Sequence, residues 1–203
     1  MHFGWGMATN VYIDGFNLYY GSLKDSPQFK WLNVAEMSQR LLPNHQINRI
    51  RYFTAHVVGW PHDQQAPDRQ DIYLRALRTI QNLTIHFGRF ATRSTKMPRD
   101  PLTYVPGQPN KPELVRVLKT EEKRSDVNLA TLPLTDCFDN DFDEAVIVSN
   151  DSDLALPIET VTGKFGKPVL MMNPHPKRRI SKELIAASTS QIRTINKKVL
   201  ACR

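Results

Sequence analysis

Cysteine is nearly absent: Cys137 and Cys202 are too few for a disulfide framework or a thiolate metal set. That scarcity points to a reducing, cytoplasmic compartment. No apolar run approaches the ~18 residues that a membrane-crossing helix needs, which excludes a helical span. The six histidines contain no H-E-x-x-H pair or other ligand spacing, so a zinc site is not expected. No Gly-rich dinucleotide fingerprint or Walker loop is present, which speaks against a nucleotide-driven enzyme. A G-x-S-x-G nucleophile elbow is missing too. Residues 1–6 lack a basic start, a long apolar stretch and a small-residue cleavage site. They are expected to be an extension before a start at Met7, not a signal peptide.

What remains is an ordinary globular composition, 203 residues with 40% hydrophobic content, enough for one domain with a real core. A single domain over residues 9–200 is expected, preceded by an extension at 1–8. The net charge of +7 is unevenly spread. Residues 164–203 carry ten Lys and Arg against one acid, whereas residues 1–163 carry 17 basic and 19 acidic residues. Between Asp136 and Asp153 stand seven carboxylates and no Lys or Arg. A basic flank beside an acidic focus suits a metal-dependent enzyme acting on a polyanion. A solvated C-terminal surface explains the basic excess equally well.

The pattern predicts strands at Thr9–Ile13, Ile47–Val58, Leu83–Phe90, Leu114–Leu118, Glu144–Val148 and Pro168–Met172, with a small edge strand at Gln191–Ile195. Helices are expected from Asn17 to about Ser22 and over Val34–Leu42, Asp68–Asn82, Asp126–Phe138, Leu154–Thr162 and Ser181–Ala187. Pro133 predicts a kink or a late start in the fourth of these. Arg93–Pro112 holds five prolines and is expected to be an extended loop, a plausible flap over substrate. Strands alternating with helices predict an α/β fold, a three-layer α/β/α sandwich around a mostly parallel sheet. Ligands bind such sheets at the carboxyl ends of the strands, where the strand order reverses.

Asp14 lies at the end of the first strand, and Asp151 and Asp153 follow Glu144–Val148. If those strands are neighbours, three carboxylates share one crevice, and Asp126 can lean in from its helix. Four clustered carboxylates raise one another's pKa values unless cations sit among them. Hard oxygen donors favour Mg²⁺ or Mn²⁺, which lowers the pKa of bound water and neutralises phosphate charge. Each residue alone has an ordinary use. Asp14-Gly15 makes a turn, Asp126 is a first-turn acid, and Asp151 or Asp153 caps a helix. Their joint placement is what sets them apart. Asp139-Asn140-Asp141-Phe142-Asp143 begins like a calcium loop. However, Glu144 and Asn150 stand where such a loop needs Gly and Glu, so it is rejected.

Three segments carry a resemblance. Val11-Tyr12-Ile13-Asp14-Gly15-Phe16-Asn17-Leu18-Tyr19-Tyr20 resembles the opening motif of NYN domains, the PIN-like nuclease group. Glu121-Glu122-Lys123-Arg124-Ser125-Asp126-Val127-Asn128-Leu129-Ala130 resembles their second motif. Ala145-Val146-Ile147-Val148-Ser149-Asn150-Asp151-Ser152-Asp153-Leu154 resembles the third. The resemblance covers about Asn10 to Met172. It implies a PIN-like sandwich and a metal-dependent endoribonuclease leaving a 5′-phosphate and a 3′-hydroxyl.

Asp14, Asp126, Asp151 and Asp153 match the acidic positions, as metal ligands and catalytic groups. Asn17 matches the Asn of the opening motif, where its amide would fix a carboxylate or a water. One common variant of the second motif has Gly where this chain has Arg124. Lys123 and Arg124 are candidates for phosphate contact, with an ion pair to Glu121 or Glu122 as the alternative. Lys177, Arg178 and Arg179 form a second cluster that would hold an RNA backbone or be plain surface. Tyr19 and Tyr20 would stack on bases or pack internally.

The function expected is hydrolysis of RNA, single-stranded or structured, by water activated on Mg²⁺ or Mn²⁺ held by clustered aspartates. Two alternatives stand beside it: a non-catalytic RNA-binding module, and a hydroxylase of pyridine-type small molecules, an activity assigned to some proteins with this domain. No membrane partner is expected. The oligomeric state stays open, a homodimer among the alternatives.

Overall fold

The computed structural model describes residues 7–189 and 193–201. Residues 1–6, Cys202, and the Gln191-Ile192 half of the expected edge strand lie outside them. Six strands form the main sheet: β1 (Ala8–Asp14), β2 (Gln46–Thr54), β3 (Leu83–Phe87), β6 (Glu144–Val148), β7 (Val169–Asn173) and the short β8 (Arg193–Thr194). Their order is β3-β2-β1-β6-β7-β8, and every pairing is parallel. The order reverses at β1, which lies between β2 and β6. A crevice must therefore open beyond the carboxyl ends of β1 and β6.

Alternation along the strands builds the two outer layers. Val11 and Ile13 join Val146, Val148, Leu170 and Met172 on one face. Helices α2 (Val34–Leu41) and α3 (Ala66–Leu77) cover that face through Met37, Leu41, Leu74 and Leu77. Tyr12, Ala145, Ile147, Val169 and Met171 point the other way. They meet α4 (Ser125–Phe138), α5 (Ala155–Glu159) and α6 (Lys182–Ala187) through Leu129, Cys137, Ile158 and Leu184. Each fully buried Val, Leu or Ile of this kind contributes roughly 1.5–3 kcal/mol of transfer free energy. Sheet between helices is the three-layer sandwich expected from the sequence. A short α1 (Gly15–Leu18) and a π turn (Tyr19–Leu23) follow β1 directly, and α7 (Lys197–Leu200) was not anticipated. Among the described residues no helix is long and apolar enough to cross a membrane.

Local chemistry explains the element ends. The Asn33 side chain accepts from the backbone N–H of Ala35 and of Glu36, capping α2 as capping residues do. Pro67 starts α3 rather than preceding it, because the first helical turn tolerates a missing N–H. Helix α3 ends at Leu77, earlier than expected. Helix α4 begins at Ser125 and continues through a buried Pro133, so the late start does not occur.

The run 93–112 departs most from expectation. Its first residues complete β4 (Arg89–Pro98), which pairs antiparallel with β5 (Leu114–Lys123) along its whole length. The two form a ribbon separate from the main sheet. Pro101, Pro106, Pro109 and Pro112 fall between the strands, and Pro98 ends one, where a ribbon tolerates it. Thr92, Thr95, Val115 and Val117 supply the β preference that the proline count obscured.

Candidate metal centre at the strand ends

Strand β1 ends on Asp14, whose extended backbone makes it the cap of α1: Asp14 Oδ1 accepts from Asn17 N at 2.8 Å. Ile13 pairs with Val148, so Asp14 faces the residue after β6, and Ser149 Oγ donates to Asp14 Oδ2 at 3.1 Å. The Ser149 hydroxyl also accepts from Asp151 N at 3.2 Å. Asp151 caps the 3-10 turn Ser152–Leu154, accepting from Asp153 N at 3.1 Å. The capping roles and the convergence are thus both real. The same side chains that end the strands face one cleft.

That cleft has a volume of about 410 Å³. Asp14, Asp126 and Asp151 line it, as the sequence predicts. Asn17 is there too, though in an unexpected role. Its Oδ1 accepts from Asn150 N at 3.1 Å and meets His175 Nε2 at 2.9 Å. An amide oxygen only accepts, so His175 Nε2 carries the proton. Asn17 therefore ties the loop after β6 and the segment after β7 to the end of β1.

Asp153 is exposed and does not line the cleft, although its charge helps raise the pKa of Asp126. Arg178 reaches the cleft wall, whereas Lys177 and Arg179 do not line it; the Arg179 carbonyl accepts from Asn150 Nδ2 at 3.2 Å. Lys123 pairs with Glu121 at 3.0 Å, and Arg124 stands at the helix cap with φ 83°. That left-handed backbone is the physical reason a glycine suits this position.

Sequence reasoning missed Glu122 and His175. Glu122 lines the cleft, and its Oε1 accepts from Ser125 N at 3.2 Å, which is how the ribbon hands a carboxylate to the site. Gly88 permits this close crossing, since a Cβ there would stand 2.1 Å from Glu122 Oε1. Alternation along β5, once that strand was extended to Lys123, was the signal available for Glu122. His175 had none.

Electrostatics follow from the crowding. Burial above all pushes Asp14 up to about 6; Asp126 and Asp151 add to this, while the Asn17 amide and the Ser149 hydroxyl oppose it. Asp126 is raised by burial and then by Glu122, Asp151 and Asp153. Burial and the neighbouring Arg178 lower His175, so its ring is neutral at pH 7.

The acidic focus between Asp136 and Asp153 does not act as one unit, which corrects the expectation. Asp136 is buried between α4 and the face of the sheet, held by Arg51 Nε at 2.7 Å and by Tyr12 Oη at 2.7 Å. Asp141 pairs with Arg49 at 3.1 Å, and Asp143 accepts from Ala8 N at 2.9 Å. Strand β6 carries the chain from these structural acids to Asp151. The basic excess is partly structural as well: Lys167 donates to Asn140 Oδ1 at 2.6 Å, and Arg193 donates to the Leu41 carbonyl.

No three of the acids, histidines or cysteines among the described residues form a ready-made metal cage. The donor set nonetheless suits a hard cation that keeps most of its waters. Four carboxylates face one open cleft, and Asp14 is driven toward protonation there. Mg²⁺ binds through one or two carboxylates plus substrate phosphate, without an all-protein cage.

The NYN domain family model matches residues 8–195. The chain is 32% identical over 178 residues to 6-hydroxy-3-succinoylpyridine 3-monooxygenase HspA of Pseudomonas putida, across 76% of this chain and 55% of that protein. It thus spans about half the length of this curated relative. Among solved structures, a protein of unknown function from Vibrio parahaemolyticus matches with a TM-score of 0.59 at 16% identity, over 97% of this chain and 98% of that one. That likeness shows the fold.

Proposed function

This chain belongs to the NYN domain family, and on that premise we propose that it is a metal-dependent ribonuclease whose cleft cuts RNA phosphodiester bonds. The observation that carries this reading is the convergence of Asp14, Asp126, Asp151 and Glu122 on one open cleft at the sheet's switch point. A binding module has little use for carboxylates aimed at a polyanion unless a cation sits between them.

Asp14, Asp126 and Asp151 would hold Mg²⁺ or Mn²⁺, with Asp153 adding negative field from outside the cleft. When bound, such an ion neutralises charge on the phosphate and lowers the pKa of the water it holds. Asn17 and Ser149 keep the Asp14 carboxylate and the Asp151 loop in register, so neither must reorganise on binding. Arg178 meets the phosphate oxygens. Glu122 Oε2 accepts the proton of the attacking water. The water oxygen bonds to phosphorus as the bond to the 3′ oxygen breaks, and that oxygen takes a proton from solvent. The products are a 5′-phosphate and a 3′-hydroxyl, with no covalent enzyme intermediate.

End-group analysis of RNA incubated with the protein and Mn²⁺ tests this. The reading expects 5′-phosphate fragments that vanish when EDTA is added. Fragments with 2′,3′-cyclic ends, or cutting that persists in EDTA, would overturn it.

The relative's name favours a second reading, oxidation of a pyridine-type ring. Inserting one oxygen atom of O₂ requires a reductant to carry the other to water, which a reduced nicotinamide or flavin would provide. Consumption of reduced nicotinamide on addition of 6-hydroxy-3-succinoylpyridine would support it. Consumption of neither reduced nicotinamide nor reduced flavin would remove it.

A further inference from the structure

Beside the carboxylate cleft lies a second, larger cavity of about 660 Å³, the size of an ordinary ligand pocket. Phe16, Tyr20 and Phe90 line both, so the two spaces share one aromatic wall. Phe16 and Phe90 meet edge to face with ring centroids 5.6 Å apart, locking the foot of the ribbon to α1. Tyr19, Trp31, Trp60 and Tyr73 extend the aromatic lining.

Two further features make the cavity more than apolar packing. Tyr52 buries its ring and leaves its hydroxyl on the cavity wall beside Gly15, where no described residue hydrogen-bonds it. Burial and then the charge of Asp14 hold that hydroxyl protonated, a donor waiting for an acceptor. Lys24 and Lys30 sit over the Tyr20 and Tyr19 rings at 5.2 and 6.0 Å, and Lys30 also feels the charge of Asp63, which Arg69 holds at 2.6 Å on the same wall. Stacking faces, a phenol hydroxyl on the wall and lysines at the edge describe one ligand chemistry.

We propose that this cavity binds a planar heteroaromatic ring that carries an anionic group. The ring stacks among the aromatic side chains and accepts a hydrogen bond from Tyr52, while its anion meets Lys24 and Lys30. Two sources supply such a ligand: a nucleotide of an RNA strand that continues into the neighbouring cleft, and a free heteroaromatic acid. The site stands whether or not the carboxylate cleft is a nuclease, because it is read by binding and not by turnover.

Calorimetric titration of the full chain, in EDTA, with UMP, AMP, nicotinate and ring-free ribose 5-phosphate tests the proposal. Saturable binding of ring-bearing anions but not of ribose 5-phosphate is expected. Nucleotide binding without nicotinate binding assigns the site to RNA, and the reverse assigns it to a free acid. Trp60→Ala should weaken the ring-bearing ligand about tenfold, the loss of one stacking partner. Tyr52→Phe should weaken it about three- to tenfold with the fold intact. Equal binding of ribose 5-phosphate, no binding of any ring-bearing anion, or wild-type affinity in both variants would each overturn it.

Discussion

Ser149 Oγ donates to Asp14 Oδ2 at 3.1 Å, joining the ends of two parallel strands that lie 135 positions apart in the chain. The same hydroxyl accepts from Asp151 N at 3.2 Å. One serine therefore sets the spacing between the deepest carboxylate of the cleft and the loop that brings the next. The arrangement is strained electrostatically rather than sterically, and its consequences are measurable.

Asp14 titrates near 6 in the folded chain against 3.8 for the free group. The folded state holds this proton more tightly than the unfolded chain. Asp14 thus costs stability as pH rises from about 4 to 6, and the full cost persists above that. Asp14→Asn should raise stability at pH 8 by roughly 1–3 kcal/mol and change it little at pH 3.5, while abolishing cleavage. Denaturant melts at the two pH values check the sign; a variant less stable at pH 8 would show that Asp14 serves the fold alone.

Protons and cations compete for the same oxygens. Cleavage should fall as pH drops through about 6 at low Mn²⁺, and the inflection should move to lower pH as Mn²⁺ is raised. An inflection that ignores the metal concentration would separate the titrating group from the cation.

Much of this was legible in the sequence. The apolar runs Val11–Ile13 and Ala145–Val148 lie on adjacent central strands, and the acids after them meet as their positions imply. Glu122 was not legible, because five prolines masked the ribbon that carries it to the cleft. The split of the acidic run was hidden for a different reason: Asp136 and Asp151 are near in sequence, but the fold turns Asp136 from α4 onto Arg51 and Tyr12 and carries Asp151 past β6 to the cleft.

Asp136 gives the control. It is 4% exposed and neutralises Arg51, which is 8% exposed. Asp136→Ala should destabilise the fold by about 3–5 kcal/mol, because a buried guanidinium loses its partner. Cleavage per folded molecule, measured well below the melting temperature, should stay unchanged. A specific loss of cleavage would bring the whole acidic run back into the mechanism.

The basic residues should sort by position. Arg178→Ala should reduce RNA affinity about tenfold and lower the salt slope by about 1, whereas Lys177→Ala should change affinity less than about twofold. Equal effects would mean that RNA contacts the turn as a diffuse charge.

Arg124 holds φ 83°, a conformation that costs a side-chain-bearing residue about 1 kcal/mol. Arg124→Gly should raise the melting temperature slightly and leave RNA affinity unaltered. A drop in affinity would make Arg124 a phosphate contact.

The most direct measurement is cleavage of a mixed single-stranded and hairpin RNA pool with Mn²⁺, Mg²⁺ or EDTA, comparing wild type with Asp151→Asn. The account predicts cutting by the wild type with either cation, none in EDTA, and at least about a hundredfold loss in the variant, the scale expected when a transition-state charge contact is removed. Cutting that survives in both EDTA and Asp151→Asn would contradict it.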